Sequence, residues 1–365
     1  MQKKNTMNDS NWSMKGIGIQ LDITTYCNAK CPQCHRTNPE GLKKHDWLPL
    51  VHWSMDDFNT AFSDDDLTKI SNINFCPTWG DAIMNPHFYD MVKRCFEVNP
   101  NMCISIDTNG SIQDENLWWK FGSLAPSKRN TNGTLRVTFD VDGINQKMHS
   151  KYRIGTNLQK TLNNMRAYSE AYYSKTCSQT IVFKHNQEYL KQIEKLCAEY
   201  GSTYHINTKS TNRFGNHGND NTFEFTFANG KFDTLEKSDI IFEESSRLSR
   251  HKNIDQTKIN CQWKKRNHVN INYTGNVHPC CYFGNREHDA NDGSRSQKFL
   301  NHLVIQSYTK NNNNNIFSNK LEDIISNNWF KQTLPESWNS ENPVPQCSKF
   351  CKNQKYSVEM VINEL

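Results

Sequence analysis

The stretch 17–36 reads IGIQLDITTYCNAKCPQCHR, and the interpretation of the rest of the chain depends on it. Its first part, 17–24, is rich in isoleucine and threonine and predicts a β-strand. Three cysteines then fall within eight residues, at Cys27, Cys31 and Cys34. In a reducing compartment, cysteines grouped at such spacings are more often metal ligands than disulfide partners. The stretch therefore predicts a strand that leads into a metal-binding loop.

Strand-like and helix-like segments alternate after this loop. We predict further strands at about 73–75, 104–107, 135–141, 180–183 and 203–207. Helices are expected from Ser54, from near Pro86, and at about 115–121, 157–173 and 187–200. Six β/α alternations predict an α/β fold in which helices cover a parallel sheet. Six units are too few for a closed eight-fold barrel, so we expect a partial (β/α)6 TIM-like barrel with ligands at the C-terminal strand ends.

Four segments are expected along the chain. Residues 1–15 form a polar tail, 16–212 the partial barrel, 213–259 a connector without clear periodicity, and 260–365 a smaller cysteine-rich module of a β-hairpin and helices. The asparagine run 311–315 predicts a solvated loop tip.

Composition argues for a soluble globular protein. Hydrophobic residues make up 35% and charged residues 22%, and the net charge of +5 is too modest to demand a nucleic-acid partner. No window is apolar for long enough to span a bilayer, and the N-terminal residues lack the apolar core of a secretory signal. We therefore expect a cytoplasmic protein without a membrane partner, in which thiols stay reduced.

Three thiolates leave the predicted metal site one ligand short. A structural zinc ion normally takes four ligands, so a zinc knuckle would need His35 or a distant residue as the fourth. A cubane [4Fe–4S] cluster held by three cysteines instead keeps one iron open. An open iron can be chelated by a substrate or cosubstrate. Both readings stay possible from the three cysteines alone.

The spacing Cys-x3-Cys-x2-Cys after a first strand resembles the signature of the radical S-adenosylmethionine (SAM) superfamily. The resemblance implies a SAM-binding [4Fe–4S] cluster at Cys27, Cys31 and Cys34. It also implies reductive cleavage of SAM to methionine and a 5′-deoxyadenosyl radical. The chain departs from the family at Gln33, where an aromatic residue usually lies near the adenine.

Two segments at later strand ends resemble other motifs of the family. Trp79-Gly80-Asp81 matches its Gly-Gly-Glu segment, which holds the SAM amino group, except that Trp79 replaces the first glycine. Thr108-Asn109-Gly110 resembles its Thr-Asn-Gly. The resemblance thus implies that Gly80, Asp81, Thr108 and Asn109 bind SAM. Taken alone, Gly-Asp after a strand would be only a turn.

The fourth strand end adds two further candidates. Asp140 takes the place where the family often has serine, near the ribose or methionine moiety of SAM. Arg153, in a Tyr-Arg-x-Gly stretch, could pair with the SAM carboxylate, a contact that suits a planar guanidinium. A surface arginine is the alternative. No substrate-side acid or base can be named from the sequence, so the catalytic residues are unknown.

A second cysteine region occupies the C-terminal part. Cys261, thirteen residues, Gly275, four residues and Cys280 resemble the opening of the auxiliary-cluster modules called SPASM and twitch. Too few cysteines are present for the two clusters of a full SPASM module, so the shorter twitch form, with one auxiliary [4Fe–4S] cluster, fits better. Its ligands are then Cys261, Cys280, Cys347 and Cys351. A four-cysteine zinc ribbon remains the alternative.

Two classes of function follow. The first is a radical SAM oxidoreductase or modifying enzyme that acts on a peptide or a small molecule, with an electron donor such as flavodoxin or ferredoxin. The second is a non-enzymatic zinc protein with structural cysteine sites, for which nucleic acid is the candidate ligand. The ordered motifs at the strand ends favour the first class, because a structural zinc protein has no reason to keep them. A brown colour of the anaerobic protein would separate the two.

Overall fold

The computed structural model describes residues 11–76, 78–127, 131–171, 175–210, 214, 221–240, 258–284, 297–310 and 313–352. The strands are β1 Ile17–Leu21, β2 Thr37–Asn38, β3 Lys43–Lys44, β4 Ile70–Phe75, β5 Cys103–Thr108, β6 Thr134–Asp140, β7 Lys175–Val182, β8 Tyr204–Lys209, β9 Thr222–Thr226, β10 Phe232–Glu236, β11 His268–Ile271 and β12 Val277–His278.

The helices lie mostly between these strands. They are α1 Met55–Ala61, α2 Asp64–Lys69, α3 Phe88–Val98, α4 Glu115–Ser123, α5 Gln146–His149, α6 Leu158–Ser169, α7 Leu190–Glu199, α8 Gln262–Lys265, α9 Cys281–Gly284, α10 Gln297–Leu300, α11 Leu303–Lys310, α12 Leu321–Ser326, α13 Leu334–Ser337 and α14 Pro345–Cys351. Short 3₁₀ turns occupy Ala82–Met84 and Gln187–Tyr189, and a π-helical turn occupies Trp329–Thr333. None of the helices in the described part of the chain has the length and apolar run that crossing a membrane takes.

Eight strands form one sheet in the order β12-β11-β1-β4-β5-β6-β7-β8. The five neighbours from β4 to β8 all pair in parallel, which the alternation of strands and helices predicts. On β5, Ile104 and Ile106 are buried while Ser105 and Asp107 are only half-buried. Alternation of this kind places apolar residues against the helices and polar residues on the opposite face. The predicted α/β fold of the partial TIM-like barrel class is confirmed.

The chain divides into two compact units. One contains Leu21–Asn59 and Asn72–Phe242, and the other Met1–Gln20, Thr60–Ser71 and Glu243–Leu365, as far as these residues are described. The first unit holds strands β5 to β8 and the hairpins β2–β3 and β9–β10; the second holds β11–β12 and helices α8 to α14. The predicted segment boundaries stay a prediction.

Helix starts follow local capping chemistry. The Ser54 hydroxyl accepts from the backbone N–H of Asp57 at 3.0 Å, and the Asp57 carboxylate accepts from the backbone N–H of Ser54 at 2.8 Å. This reciprocal pair satisfies N–H groups that have no partner inside the helix. Asn157 similarly accepts from the N–H of Lys160 and starts α6. Both helices begin within one residue of the predicted positions.

Two irregular regions contain more structure than the sequence predicted. The connector 213–259 contains the antiparallel hairpin β9–β10, in which Thr226 pairs with Phe232. Of the asparagine run, residues 313–315 are described; Asn313 is exposed, but Asn314 and Asn315 do not form a solvated tip. Asn314 is buried, its carbonyl accepts from the N–H of Val277 at 2.8 Å, and Asn315 bridges to Asn276. The amide side chains also satisfy backbone carbonyls: Asn314 Nδ2 donates to Tyr308 at 3.2 Å, and Asn315 Nδ2 donates to Thr274 at 2.8 Å.

Candidate active site

The cysteine loop follows β1 and is fixed by backbone contacts on two sides. The N–H of Lys30 donates to the carbonyl of Ile154 at 2.7 Å, and the N–H of Cys34 donates to the carbonyl of Cys31 at 3.0 Å. Gly155 has a φ of +88°, and a Cβ there would lie 2.8 Å from the carbonyl oxygen of Asn28. Glycine is therefore required for the 152–156 loop to pass this close to the cysteines.

The Gly80-Asp81 segment lies against the start of the same loop. A Cβ at Gly80 would lie 2.3 Å from the carbonyl oxygen of Thr24. The N–H of Asp81 donates to the carbonyl of Tyr26 at 2.8 Å. The sequence predicted both residues as SAM-binding. The structure places them beside the loop, and the small size of Gly80 permits that approach.

Asp81 is buried and is the centre of a hydrogen-bond network. Its Oδ2 accepts from Thr108 Oγ1 at 3.0 Å, from the N–H of Asn109 at 3.0 Å and from Asn109 Nδ2 at 2.7 Å. Asn109 Nδ2 also lies 2.9 Å from Asn28 Oδ1 and 3.9 Å from Cys27 Sγ. Burial raises the pKa of Asp81, and the hydrogen bonds from Asn109 and Thr108 oppose this rise. The end of β5 is thereby joined to the cysteine loop.

Arg153 lies between two carboxylates and the second cysteine. Its Nε is 2.6 Å from Asp142 Oδ2, and its Nη1 is 2.9 Å from Asp140 Oδ2. The same Nη1 lies 3.9 Å from Cys31 Sγ. Arg153 is 8% exposed and Asp142 is fully buried, so the alternative of a surface arginine is wrong. Asp142 was not among the predicted site residues, although it lies only two residues after Asp140.

The three thiols are crowded, which affects their ionisation. Burial raises the pKa of Cys27, and the neighbouring Asp81, Cys31 and Cys34 raise it further. Burial raises the pKa of Cys31 to about 12, with Arg153 opposing the rise. A bound metal centre would supply positive charge that favours the thiolate forms. The donor set fits an iron–sulfur cluster, because its irons supply that charge.

An apolar cluster surrounds the loop. Cys31 and Ala29 pack with Tyr152, Phe183 and, from the β9–β10 hairpin, Phe223, Phe225 and Leu235. The hairpin was not predicted, yet its sequence carried a signal. Phe223 and Phe225 alternate with polar residues, and Asn229-Gly230 follows, a pair that favours hairpin turns. Gly230 adopts a φ of +79°.

Gln33 replaces the expected aromatic residue and is buried, with 4% of its surface exposed. Its Oε1 accepts from Ser210 Oγ at 3.0 Å. Its Nε2 has no hydrogen-bond partner among the described residues. A buried amide donor without an acceptor is costly, by about 1–3 kcal/mol. The free donor beside Cys34 fits a polar ligand at this position.

Asp22 supports the Gly80-Asp81 segment from the end of β1. It is buried, and its Oδ1 accepts from the N–H of Thr78 at 2.7 Å. Burial raises the pKa of Asp22 to about 7, against the hydrogen bonds from the Thr78 and Trp79 backbone. The folded chain therefore holds a proton between about pH 4 and pH 7 that the unfolded chain has lost.

We expect Asp22→Asn to flatten the pH dependence of stability. In the unmodified chain, this carboxyl makes the free energy of unfolding fall by up to about 1.4 kcal/mol per pH unit as pH rises through that window. Asn keeps the acceptor for Thr78 without the charge, so the variant should be more stable at pH 8 and similar at pH 4. Urea titrations from pH 4 to 8 measure this. Asn at Asp90, which is exposed on α3, is the control and should leave the slope unchanged.

The C-terminal cysteines gather around a small pocket. The residues that line it are Cys261, Trp263, Pro279, Cys280, Tyr282, Phe283, Leu334, Trp338, Gln346, Cys347 and Cys351. All four predicted ligands are among them, and Cys281 is not. Gly275, with a φ of +83°, makes the turn of the β11–β12 hairpin that precedes Cys280. The predicted hairpin is thus present.

The four thiols of this pocket influence one another. Burial raises the pKa of Cys280, and Cys281, Cys261 and Cys347 raise it further. Cys261 is the exception, because hydrogen bonds from Cys351 and from backbone N–H groups lower its pKa. Among the described residues, no group of three or more His, Cys, Asp or Glu side chains is placed to hold a single metal ion. Cysteines that bind different irons of one cluster do not need to meet at one point.

Comparison with known proteins agrees with this arrangement. The family model of SPASM, an iron–sulfur cluster-binding domain, matches residues 261–352. Streptococcus suis SuiB has a similar fold, with 11% identity over 87% of this chain and 66% of that chain and a TM-score of 0.52. The structure of SuiB bound to its precursor peptide SuiA is also similar, with 12% identity over 87% of this chain and 65% of that chain and a TM-score of 0.53. A search among curated proteins found no match.

These comparisons differ in what they establish. The family match confirms the predicted SPASM-type iron–sulfur module from Cys261 onward. Identities of 11% and 12% show a likeness of fold alone, and the chain spans about two thirds of the length of SuiB. The number of clusters in the module and the roles of the individual site residues stay predictions.

Proposed function

We propose that this chain, which has the radical SAM fold and an SPASM iron–sulfur cluster-binding domain, reductively cleaves SAM to methionine and a 5′-deoxyadenosyl radical that abstracts hydrogen from a substrate. The observation that carries the proposal is the convergence of strand-end segments on the cysteine loop. Asn109, from the end of β5, reaches Cys27, and Arg153, held by Asp140 at the end of β6, reaches Cys31. Structural cysteines alone would not require these contacts.

In this proposal each residue at the N-terminal site has a physical task. Cys27, Cys31 and Cys34 hold a [4Fe–4S] cluster, which supplies the electron when bound. The Asn109 amide and the Arg153 guanidinium donate toward the cysteine sulfurs, which stabilises added negative charge.

The SAM contacts are part of the same proposal. Gly80, Asp81, Thr108, Asn109, Asp140 and Arg153 are assigned to the bound SAM, as their motifs imply. The unpaired Gln33 Nε2 offers a further polar contact in place of aromatic stacking. Polar groups packed around the bound SAM would also keep water away from the reactive radical.

The C-terminal pocket is assigned to an auxiliary [4Fe–4S] cluster on Cys261, Cys280, Cys347 and Cys351. Such a cluster would accept an electron from the substrate radical or anchor the substrate, as in an oxidoreductase or modifying enzyme. The substrate is a peptide or a small molecule. SuiB, which shares the fold, was solved with its precursor peptide, so a peptide deserves the first test. A flavodoxin or ferredoxin would deliver electrons.

The direct test is SAM cleavage without substrate. Anaerobic, iron-reconstituted protein reduced with dithionite should convert SAM to 5′-deoxyadenosine and methionine, both measurable by chromatography. The control is the same reaction without the protein. Iron-loaded protein that releases no 5′-deoxyadenosine would contradict the proposal. A colourless chain that binds zinc at both sites would favour the structural alternative.

The iron content should separate the two sites. We expect about eight irons per chain after reconstitution, and about four in a Cys347→Ala/Cys351→Ala variant, because each cubane carries four. Colorimetric iron and sulfide assays measure this. Alanine at Cys281, which does not line the pocket, is the matched control and should keep about eight. If the parent chain and the double variant both contain about four irons, the proposed auxiliary cluster is contradicted.

A further inference from the structure

The wall of the C-terminal pocket contains indole N–H groups that the protein does not satisfy. Trp263 is 2% exposed, and its Nε1 has no hydrogen-bond acceptor among the described residues. Trp338 Nε1 is also buried, and no described residue accepts a hydrogen bond from it at ordinary distance and angle. Both tryptophans line the pocket formed by Cys261, Cys280 and Cys347 with Cys351.

Leaving such donors unpaired is unfavourable. A buried N–H without an acceptor costs about 1–3 kcal/mol, and indole N–H groups usually find a partner when buried. Elsewhere in the same unit they do: Trp12 Nε1 donates to the carbonyl of His268 at 2.8 Å, and Trp329 Nε1 donates to the carbonyl of Val304 at 2.8 Å. Trp263 and Trp338 therefore differ from Trp12 and Trp329 in that their indole N–H groups lack a carbonyl acceptor among the described residues.

The acceptors that line the pocket include the four cysteine sulfurs and Gln346 Oε1, which is itself buried without a hydrogen-bond partner among the described residues. The backbone N–H of Lys264, next to Trp263, already donates to Cys261 Sγ at 3.5 Å. Trp338 lies beside Cys347, where its side chain opposes the rise that burial gives the pKa of this thiol. The Lys264 ammonium lies 5.6 Å from the centre of the Trp338 ring and adds positive charge.

We propose that Trp263 and Trp338 donate N–H···S hydrogen bonds to the auxiliary iron–sulfur cluster and thereby raise its reduction potential. The inference rests on the proposed auxiliary cluster. Hydrogen bonds to the sulfurs are among the factors that set the potential of iron–sulfur clusters. They stabilise the reduced form more, because it carries more negative charge. A higher potential makes the cluster a better acceptor for an electron from a substrate radical.

The experiment isolates the auxiliary cluster in a Cys27→Ala/Cys31→Ala/Cys34→Ala background, so that only one cluster gives a signal. Its midpoint potential is measured by EPR-monitored redox titration. Trp263→Phe and Trp338→Phe should each lower the midpoint, and the double variant should lower it further. Trp12→Phe is the matched control, because this buried indole already has an acceptor; its midpoint should not change.

A second measurement covers the case in which the Phe variants load iron poorly. Global incorporation of 5-fluorotryptophan makes every indole N–H a stronger donor with little change of shape, and should raise the midpoint. Ring-¹⁵N tryptophan should give a hyperfine coupling to the reduced cluster in pulsed EPR, which the double variant loses. An iron-loaded cluster with an unchanged midpoint in all these forms would overturn the inference alone. Absence of a redox-active cluster at this site would overturn the proposed auxiliary cluster as well.

Discussion

A Cys27→Ala/Cys31→Ala/Cys34→Ala variant is expected to release no more 5′-deoxyadenosine than a reaction without protein. The three thiols are the only proposed protein ligands of the SAM-binding cluster, so their loss removes the iron that SAM would chelate. The chain should still fold. Each substitution removes one sulfur from a loop, and by area each costs on the order of 1 kcal/mol even at Cys31, which is buried.

The controls separate chemistry from folding. Cys103→Ala removes a half-buried thiol at the start of β5, outside the cysteine loop, and should keep SAM cleavage. Far-UV circular dichroism and the urea midpoint check that the triple variant is folded. Iron content should fall by about four per chain, while the C-terminal cluster remains. A folded triple variant that still cleaves SAM would show that the electron and SAM meet elsewhere.

The sequence predicted the parts of the fold that depend on local periodicity. The strands β4 to β8 overlap the predicted strands, and α3, α4, α6 and α7 lie near the predicted helices; α5 was not predicted, and β7 begins five residues before the predicted strand. Asn157, for example, is the residue that caps α6. Motifs at the strand ends were also predictable as a set, because parallel strands bring their C-terminal ends to one edge.

Contacts between distant segments were not predictable in this way. No local pattern shows that Asp81 accepts from Thr108 and Asn109, or that the β9–β10 hairpin packs on Cys31. The asparagine run was misread because composition suggested solvent exposure. Asn314 and Asn315 instead hydrogen-bond to the β11–β12 hairpin, which only the tertiary structure reveals.

Arg153 shows the same limit at the site itself. The motif implied a contact with the SAM carboxylate, whereas the structure shows its Nε on Asp142 and its Nη1 on Asp140. These roles are compatible, because a guanidinium carries five donors. Burial raises the pKa of Asp140 to about 7 even though Arg153 opposes the rise. The arginine is therefore required by its protein partners before any ligand is considered.

Arg153→Leu should destabilise the fold by about 3–5 kcal/mol, since removing one member of a buried ion pair leaves uncompensated charge in the interior. Here two carboxylates, Asp140 and Asp142, would lose their shared partner. Urea titration of the metal-free chain measures the loss. Lys151→Ala is the matched control: its pair with Asp233 is partly exposed, and it should cost at most about 1 kcal/mol.

A rescue variant then separates the structural role of this ion pair from the proposed roles of Arg153 and Asp140 toward SAM. Arg153→Leu/Asp140→Asn/Asp142→Asn removes all three charges, and it should recover most of the lost stability, because no buried charge remains unpaired. Asn at 142 can still accept the N–H of Ile181, which Asp142 Oδ1 accepts at 2.6 Å. If Arg153 or Asp140 also serves SAM, the rescued protein should load iron yet cleave SAM poorly. Full cleavage by the rescued protein would show that neither Arg153 nor Asp140 is needed for SAM, and that their ion pair has only a structural role beside the cysteine loop.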